Sequence, residues 1–318
     1  MGSEMCIRDS VILWISVFIA SLFFLVKSAD YFTDYCEKLA LYLGAPAFII
    51  GVTIAAIGTS LPELITSIFS VIYKHSEIVA GNAIGSNIAN ILLIVGLCAI
   101  ISKDIKFEWD LLRVDLPLLI GSAFLISIFI FDGVFTYKEA ILCILAYLVY
   151  FFYSKEAHKK NKISIRDKKA ITPLKTFLFL VSVAALYFSS KYLVVSIVEL
   201  SKAFEIGADI IAATAVAIGT SLPELMVSVF AIKKKDYEIA IGNIIGSNIF
   251  NSLLVFGIPG LIGSLVITNY VKYFALPFML VISLLFFFVS QDKEITKWEG
   301  LLFMIFYIAF LLFTIGAI

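Results

Sequence analysis

The 318-residue sequence predicts an all-α integral membrane protein: ten transmembrane helices, built as two inverted five-helix repeats, with the second and seventh helices broken. Three observations predict it. The chain is 61% hydrophobic and 15% charged, with a mean hydropathy of +1.04; a soluble domain is about 45–50% apolar and about 25% charged. Its apolar residues fall in runs of 16 to 30, each long enough to cross ~30 Å of hydrocarbon as a helix. Lipid offers an open backbone no hydrogen-bond partner, so such runs must be helical. A soluble helical core would need amphipathic periods with polar outer faces, which the runs lack. The third observation is an internal repeat.

IGTSLPEL occurs at Ile57–Leu64 and again at Ile218–Leu225, and GNAIGSNIAN at Gly81–Asn90 returns as GNIIGSNIFN at Gly242–Asn251, both offset by 161 residues. From Gly58 to Asn90, twenty of thirty-three positions match Gly219 to Asn251, which excludes chance. The ten expected spans are 11–30, 46–73, 78–101, 111–131, 135–153, 173–200, 207–232, 239–264, 271–290 and 298–317. Each half then holds an odd number of spans, so its second copy enters the membrane in the opposite sense, as in many secondary transporters.

Residues 1–10 fit nothing that follows and are set aside as a non-native or disordered N-terminus. The first half is 11–153, the second is 173–318, and the stretch 154–172, with seven Lys/Arg, is a polar linker between them. With the N-terminus outside, eighteen Lys/Arg fall on the inner side and six on the outer side. The positive-inside rule therefore predicts both termini outside, the linker cytoplasmic, and the plasma membrane as location.

Zero formal net charge gives no bulk attraction to nucleic acid. Cys6, Cys36, Cys98 and Cys143 show neither metal-motif nor disulfide spacing, and the two histidines, His75 and His158, sit in polar connections. There is no G-x-x-x-x-G-K-[ST] phosphate loop and no Ser–His pair within the spans. An enzyme is not expected, nor any cofactor; nothing indicates a protein partner, and a monomer in the lipid bilayer is expected.

The chemistry lies in the repeated motifs. Pro62 and Pro223 each remove an N–H and clash with the carbonyl one turn back. The helix is expected to break there, freeing carbonyls of Ala56, Thr59, Ala217 and Thr220 toward a cavity or an ion. Thr59, Ser60, Thr220 and Ser221 add hydroxyls; Glu63 and Glu224 add carboxylates. An ionised carboxylate at the bilayer centre costs at least ~2.5–3.5 kcal/mol, and two at matching depth would repel. A bound cation removes both costs; two protonated glutamates hydrogen-bonded across the repeat axis is the structural alternative. All-oxygen ligation suits Na⁺ and Ca²⁺, and no Cys or His lies near to favour a softer metal.

Ser86 and Asn90 are four apart, as are Ser247 and Asn251, so each pair shares a helical face and is expected to turn toward the glutamates. Gly81, Gly85, Gly242 and Gly246 follow the small-xxx-small spacing of close helix contact. Asn82, Asn87, Asn243 and Asn248 serve either the ion or the backbone of the broken helices.

GTSLPE followed by GN-x-x-GSN-x-x-N, twice in ten spans, resembles the alpha-repeats of the calcium/cation antiporter superfamily, above all prokaryotic sodium/calcium exchangers, over about residues 11–318. The resemblance implies four cation positions at the midplane. Glu63 and Glu224 would be shared; Thr59, Thr220, Ser86, Ser247 and the carbonyls of Ala56 and Ala217 would serve the flanking sodium positions. It also implies exchange of three Na⁺ for one Ca²⁺, with the first and sixth spans sliding. One departure matters: several prokaryotic members, and potassium-coupled exchangers, carry Asp where this chain has Asn251, opposite Asn90. Potassium coupling is disfavoured, and two carboxylates remain. A calcium/proton antiporter would be expected to add acids or histidines to the second motif. A cation channel would share the oxygen ligands without needing an inverted repeat.

Overall fold

The computed structural model describes residues 2–42, 55–106, 109–157, 173–235 and 237–316. Helix α1 is Gly2–Tyr42, longer at both ends than the expected span and running through the segment set aside at the N-terminus. The second expected span, whose first part lies outside the described residues, is α2 (Ala55–Thr59) and α3 (Leu61–Ile72). Next come α4 (Glu77–Ser102), α5 (Trp109–Phe129) and α6 (Tyr137–Ala157). Helix α6 runs into the first residues of the expected linker, to Ala157, and the rest of the linker, 158–172, is outside the described residues.

Helix α7, Pro173–Phe204, starts on its proline, where a missing N–H costs nothing. Then follow α8 (Ala208–Thr220) and α9 (Leu222–Lys233), bent by 41° at Ser221. Helix α10 runs from Tyr237 through Phe250, a π-helical turn at Asn251–Val255, and Phe256–Ile262. Helix α11 is Val271–Asp292 and α12 is Lys297–Thr314.

Among the described residues, seven helices are long and apolar enough to cross a membrane, or eight with the bent pair α8–α9 as one span. The two other expected spans are represented by shorter apolar helices, Leu61–Ile72 and Asp115–Phe129. The protein is thus an all-α integral membrane protein. Side chains such as Ile12, Phe23, Phe152, Phe177, Phe288 and Ile305 stand exposed on the outside of the helices, as a lipid-facing surface requires.

The apolar interior divides in two. The larger cluster joins α4, α5 and α6 with α10, α11 and α12, and includes Ile88, Leu92, Phe135, Phe250, Phe256, Phe286, Phe303 and Phe310. The smaller one joins α1, α7 and α8 through Phe18, Leu25, Leu186, Leu193, Ile197 and Val216. Helices α1 and α7 lie against each other; Phe179 stacks on Tyr35 with ring centroids 4.5 Å apart, and the Tyr35 hydroxyl is 3.0 Å from Thr176 Oγ1.

Two short antiparallel ribbons close the larger unit. Strand β1 (Asp104–Lys106) pairs with β4 (Glu294–Thr296), with Ile105 opposite Ile295. Strand β2 (Val134–Phe135) pairs with β3 (Leu265–Val266). Each ribbon takes one strand from each half, so the exit of α4 is tied to the start of α12, and the exit of α10 to the start of α6. Thr296 and Glu299 form a capping box that starts α12.

Candidate cation site

Both broken helices break at a serine, and at matching repeat positions. Ser60 (φ −89°, ψ 9°) separates α2 from α3, and Ser221 (φ −80°, ψ 5°) separates α8 from α9. The breaks fall within GTSLPE, where the sequence predicts them, and Pro62 and Pro223 occupy the first turn of α3 and α9, where an N–H has no helical partner and the fixed φ is already helical. The proline forbids continuation of the preceding helix; the residue that leaves helical geometry is the serine two places before it.

This changes one expected ligand. The Ala217 carbonyl is not freed: it accepts the Ser221 N–H at 3.0 Å. A carbonyl oxygen has a second lone pair, so one acceptor position remains. Ala56 lies in α2, and its surroundings fall outside the described residues.

Glu63 and Glu224, each in the first turn after a break, are fully buried. They are bound reciprocally across the halves. Ser60 Oγ donates to Glu224 Oε1 at 2.8 Å, and Ser221 Oγ donates to Glu63 Oε1 at 3.4 Å. Each glutamate also meets a serine of its own half: Ser86 Oγ donates to Glu63 Oε1 at 3.4 Å, and Ser247 Oγ to Glu224 Oε1 at 3.3 Å. The other oxygen, Oε2, is buried on both residues with no hydrogen-bond partner among the described residues.

Thr59 Oγ1 lies 3.4 Å from Asn243 Oδ1, to which it donates, and 3.5 Å from Ser247 Oγ. Thr220 Oγ1 turns back to donate to the Val216 carbonyl at 3.1 Å. Asn90 and Asn251 are fully buried, and neither amide atom of either has a hydrogen-bond partner among the described residues. Both sit in π-helical turns, Ala89–Val95 and Asn251–Val255, a feature frequent at functional sites. The turn carrying Asn251 packs on α3, and that carrying Asn90 packs on α9.

Two further pairs emerge. Asn82 Nδ2 donates to the Glu63 carbonyl at 3.1 Å and to Ser67 Oγ at 3.2 Å. Asn243 Nδ2 donates to the Glu224 carbonyl at 3.4 Å and to Ser228 Oγ at 3.2 Å. The asparagines were weighed in the sequence, but Ser67 and Ser228 were not; their identity at the 161-residue offset was the available signal.

Unpaired carboxylate and amide oxygens buried together are costly unless something positive meets them. The set of oxygens fits a hard cation.

The chain is similar to proteins already known. The model of a family described as sodium/calcium exchanger protein matches twice, over residues 13–155 and 174–316. The chain is 36% identical to sodium/calcium exchanger MaX1 of Methanosarcina acetivorans, over 93% of this chain and 96% of that protein. It is 33% identical to inner membrane protein YrbG of Escherichia coli, over 78% of this chain and 79% of that protein. A structure of the sodium-calcium exchanger NCX_Mj, soaked with Na⁺ and Sr²⁺, superposes with a TM-score of 0.65 at 29% identity, covering 94% of this chain and 98% of that one. The chain belongs to the sodium/calcium exchanger protein family.

Proposed function

We propose that the protein is a secondary antiporter that exchanges Na⁺ for Ca²⁺ at 3:1, electrogenically and by alternating access. In this reading ten spans form two inverted five-helix halves in the plasma membrane, with both termini outside and the linker inside. The observation that carries it is the reciprocal clamp: Ser60 of one half holds Glu224 of the other, Ser221 holds Glu63, and the second oxygen of both glutamates is buried without a partner. One ion can therefore be shared by the two halves.

Glu63 and Glu224 are the carboxylate ligands. Thr59, Ser60, Ser86, Thr220, Ser221 and Ser247 supply hydroxyls, Asn90 and Asn251 amide oxygens, and Ala56 and Ala217 carbonyls. With two carboxylates, one Ca²⁺ gives a neutral site and three Na⁺ leave one positive charge. Each turnover then moves one charge, worth ~2.3 kcal/mol per 100 mV. An inside-negative potential drives Na⁺ in and Ca²⁺ out. The separate apolar cluster of α1, α7 and α8 supports α1 and α7 as the pair that slides, against a core tied by the two ribbons.

The test is ⁴⁵Ca²⁺ counter-transport in proteoliposomes with Na⁺, K⁺ or H⁺ gradients imposed separately. Sodium-driven accumulation is expected. Acceleration by K⁺ or H⁺ alone would replace this reading with the corresponding antiporter, and Ca²⁺ flux with no coupled counter-ion would replace it with a channel.

A further inference from the structure

The asparagine that opens each GN-x-x-GSN motif is held in the same way in both halves. Its Nδ2 donates to the backbone carbonyl of the glutamate and to a serine one turn further along α3 or α9. Two bonds from one NH₂ group orient the amide plane. With Nδ2 turned onto α3 or α9, Oδ1 must point elsewhere.

The second half shows where. Asn243 Oδ1 accepts from Thr59 Oγ1 at 3.4 Å, and Thr59 is itself 3.5 Å from Ser247 Oγ, which donates to Glu224. A pinned Oδ1 therefore points among the site's hydroxyls. In the first half Asn82 is pinned by the same two bonds, but Thr220 donates to the Val216 carbonyl instead. Asn82 Oδ1 is left fully buried without a partner, as is Glu63 Oε2. Ser86, one turn along the same face of α4, donates to Glu63 Oε1.

We propose that Asn82 is a further residue of the ion site, with Nδ2 fixing the Glu63 backbone and Oδ1 acting as an oxygen ligand for Na⁺. This deepens the exchanger reading and rests on it. Asn243 is the equivalent residue of the second half, its Oδ1 occupied by Thr59 in this arrangement. A neutral amide oxygen can ligate either ion, but adds no charge to attract a divalent one. Ca²⁺ needs the two carboxylates first, so its dependence on Asn82 is weaker.

The experiment is equilibrium binding of ²²Na⁺ and ⁴⁵Ca²⁺ to the purified full-length protein in detergent, for wild type, Asn82→Ala and Asn82→Asp, with monodispersity checked by size exclusion. Asn82→Ala removes oxygen and donor together. It is expected to weaken Na⁺ binding about tenfold or more, the range found when groups that hold or orient metal ligands are removed, with a clearly smaller change for Ca²⁺. Asn82→Asp keeps an oxygen at the same place but loses the Nδ2 donor to the Glu63 carbonyl, so it is expected to bind Na⁺ better than Asn82→Ala and less well than wild type. Sodium binding by Asn82→Ala equal to wild type overturns the proposal, as does an equal loss for both ions, which would leave Asn82 a packing residue. If Asn82→Ala does not fold, Na⁺ binding equal to wild type in a folded Asn82→Leu, close in size and without the oxygen, overturns it just as directly. A wild-type protein that binds neither ion overturns the exchanger reading itself.

Discussion

Replacing Glu63 by Gln keeps the shape of the side chain and removes one charge. Gln keeps an oxygen that can accept from Ser86 Oγ and Ser221 Oγ, the two hydroxyls 3.4 Å from Glu63 Oε1. The fold therefore loses little. It also sheds one of two buried carboxylates, each costing at least ~2.5–3.5 kcal/mol in the bilayer when no cation is present. Ion-free Glu63→Gln should be no less stable than wild type. The ion loses far more. A divalent ion about 3 Å from a carboxylate charge is attracted by about 11 kcal/mol at an effective dielectric constant of about 20. Desolvation cancels much of that. If about a quarter survives, about 3 kcal/mol, Ca²⁺ affinity falls by roughly a hundredfold. Glu224→Gln should behave alike, because Ser60 and Ser247 hold its Oε1 in the same fashion. The assay is Na⁺-driven ⁴⁵Ca²⁺ uptake by reconstituted protein, alongside the thermal midpoint in ion-free detergent. Uptake by either variant near the wild-type rate would refute the assignment. Loss of uptake together with a large drop in the ion-free midpoint would mean that the carboxylate holds the fold, not the ion.

Three other outcomes are expected. Calcium uptake should depend on a valinomycin-clamped potential, as the charge count requires; flux indifferent to it would indicate a 2:1 cycle. Asn251→Asp keeps the size of the side chain and adds a third ionisable group on the π-helical turn that packs on α3. Side-by-side titrations should then show a pH or K⁺ dependence absent from wild type, and superimposable profiles would place Asn251 outside the ion path. Gly81→Ala would drive a Cβ to 2.3 Å from the Asp209 backbone oxygen of α8. It should lower the thermal midpoint, overpacking costing typically ~1–3 kcal/mol; an unchanged midpoint would contradict the close approach of α4 and α8.

Much of this protein was legible in the sequence because the signals are carried by consecutive residues. Apolar runs declare membrane helices, since lipid leaves the backbone no alternative. The 161-residue repeat declares two related halves, and Pro62 and Pro223 in the repeated GTSLPE declare the broken helices, whereas Pro117 and Pro259 lie inside continuous helices. The oxygens that could hold a hard cation were also evident, because carboxylates, hydroxyls and amides are rare in such runs. Tertiary structure decided how those oxygens meet. That Ser60 serves Glu224 and Ser221 serves Glu63 depends on how α3 and α9 pass one another, which no local pattern encodes. Within GTSLPE the structure decided which residue leaves helical geometry, the serine, because proline is comfortable in a first helical turn. The π-helical turns under Asn90 and Asn251 have no residue signature, and the Ala217 carbonyl found a partner in Ser221. Near-identical repeats also meet different neighbours: among the described residues Asn243 Oδ1 is engaged while Asn82 Oδ1 is not. A repeated sequence makes two halves alike in chemistry; the packing of each half against the other makes them unequal.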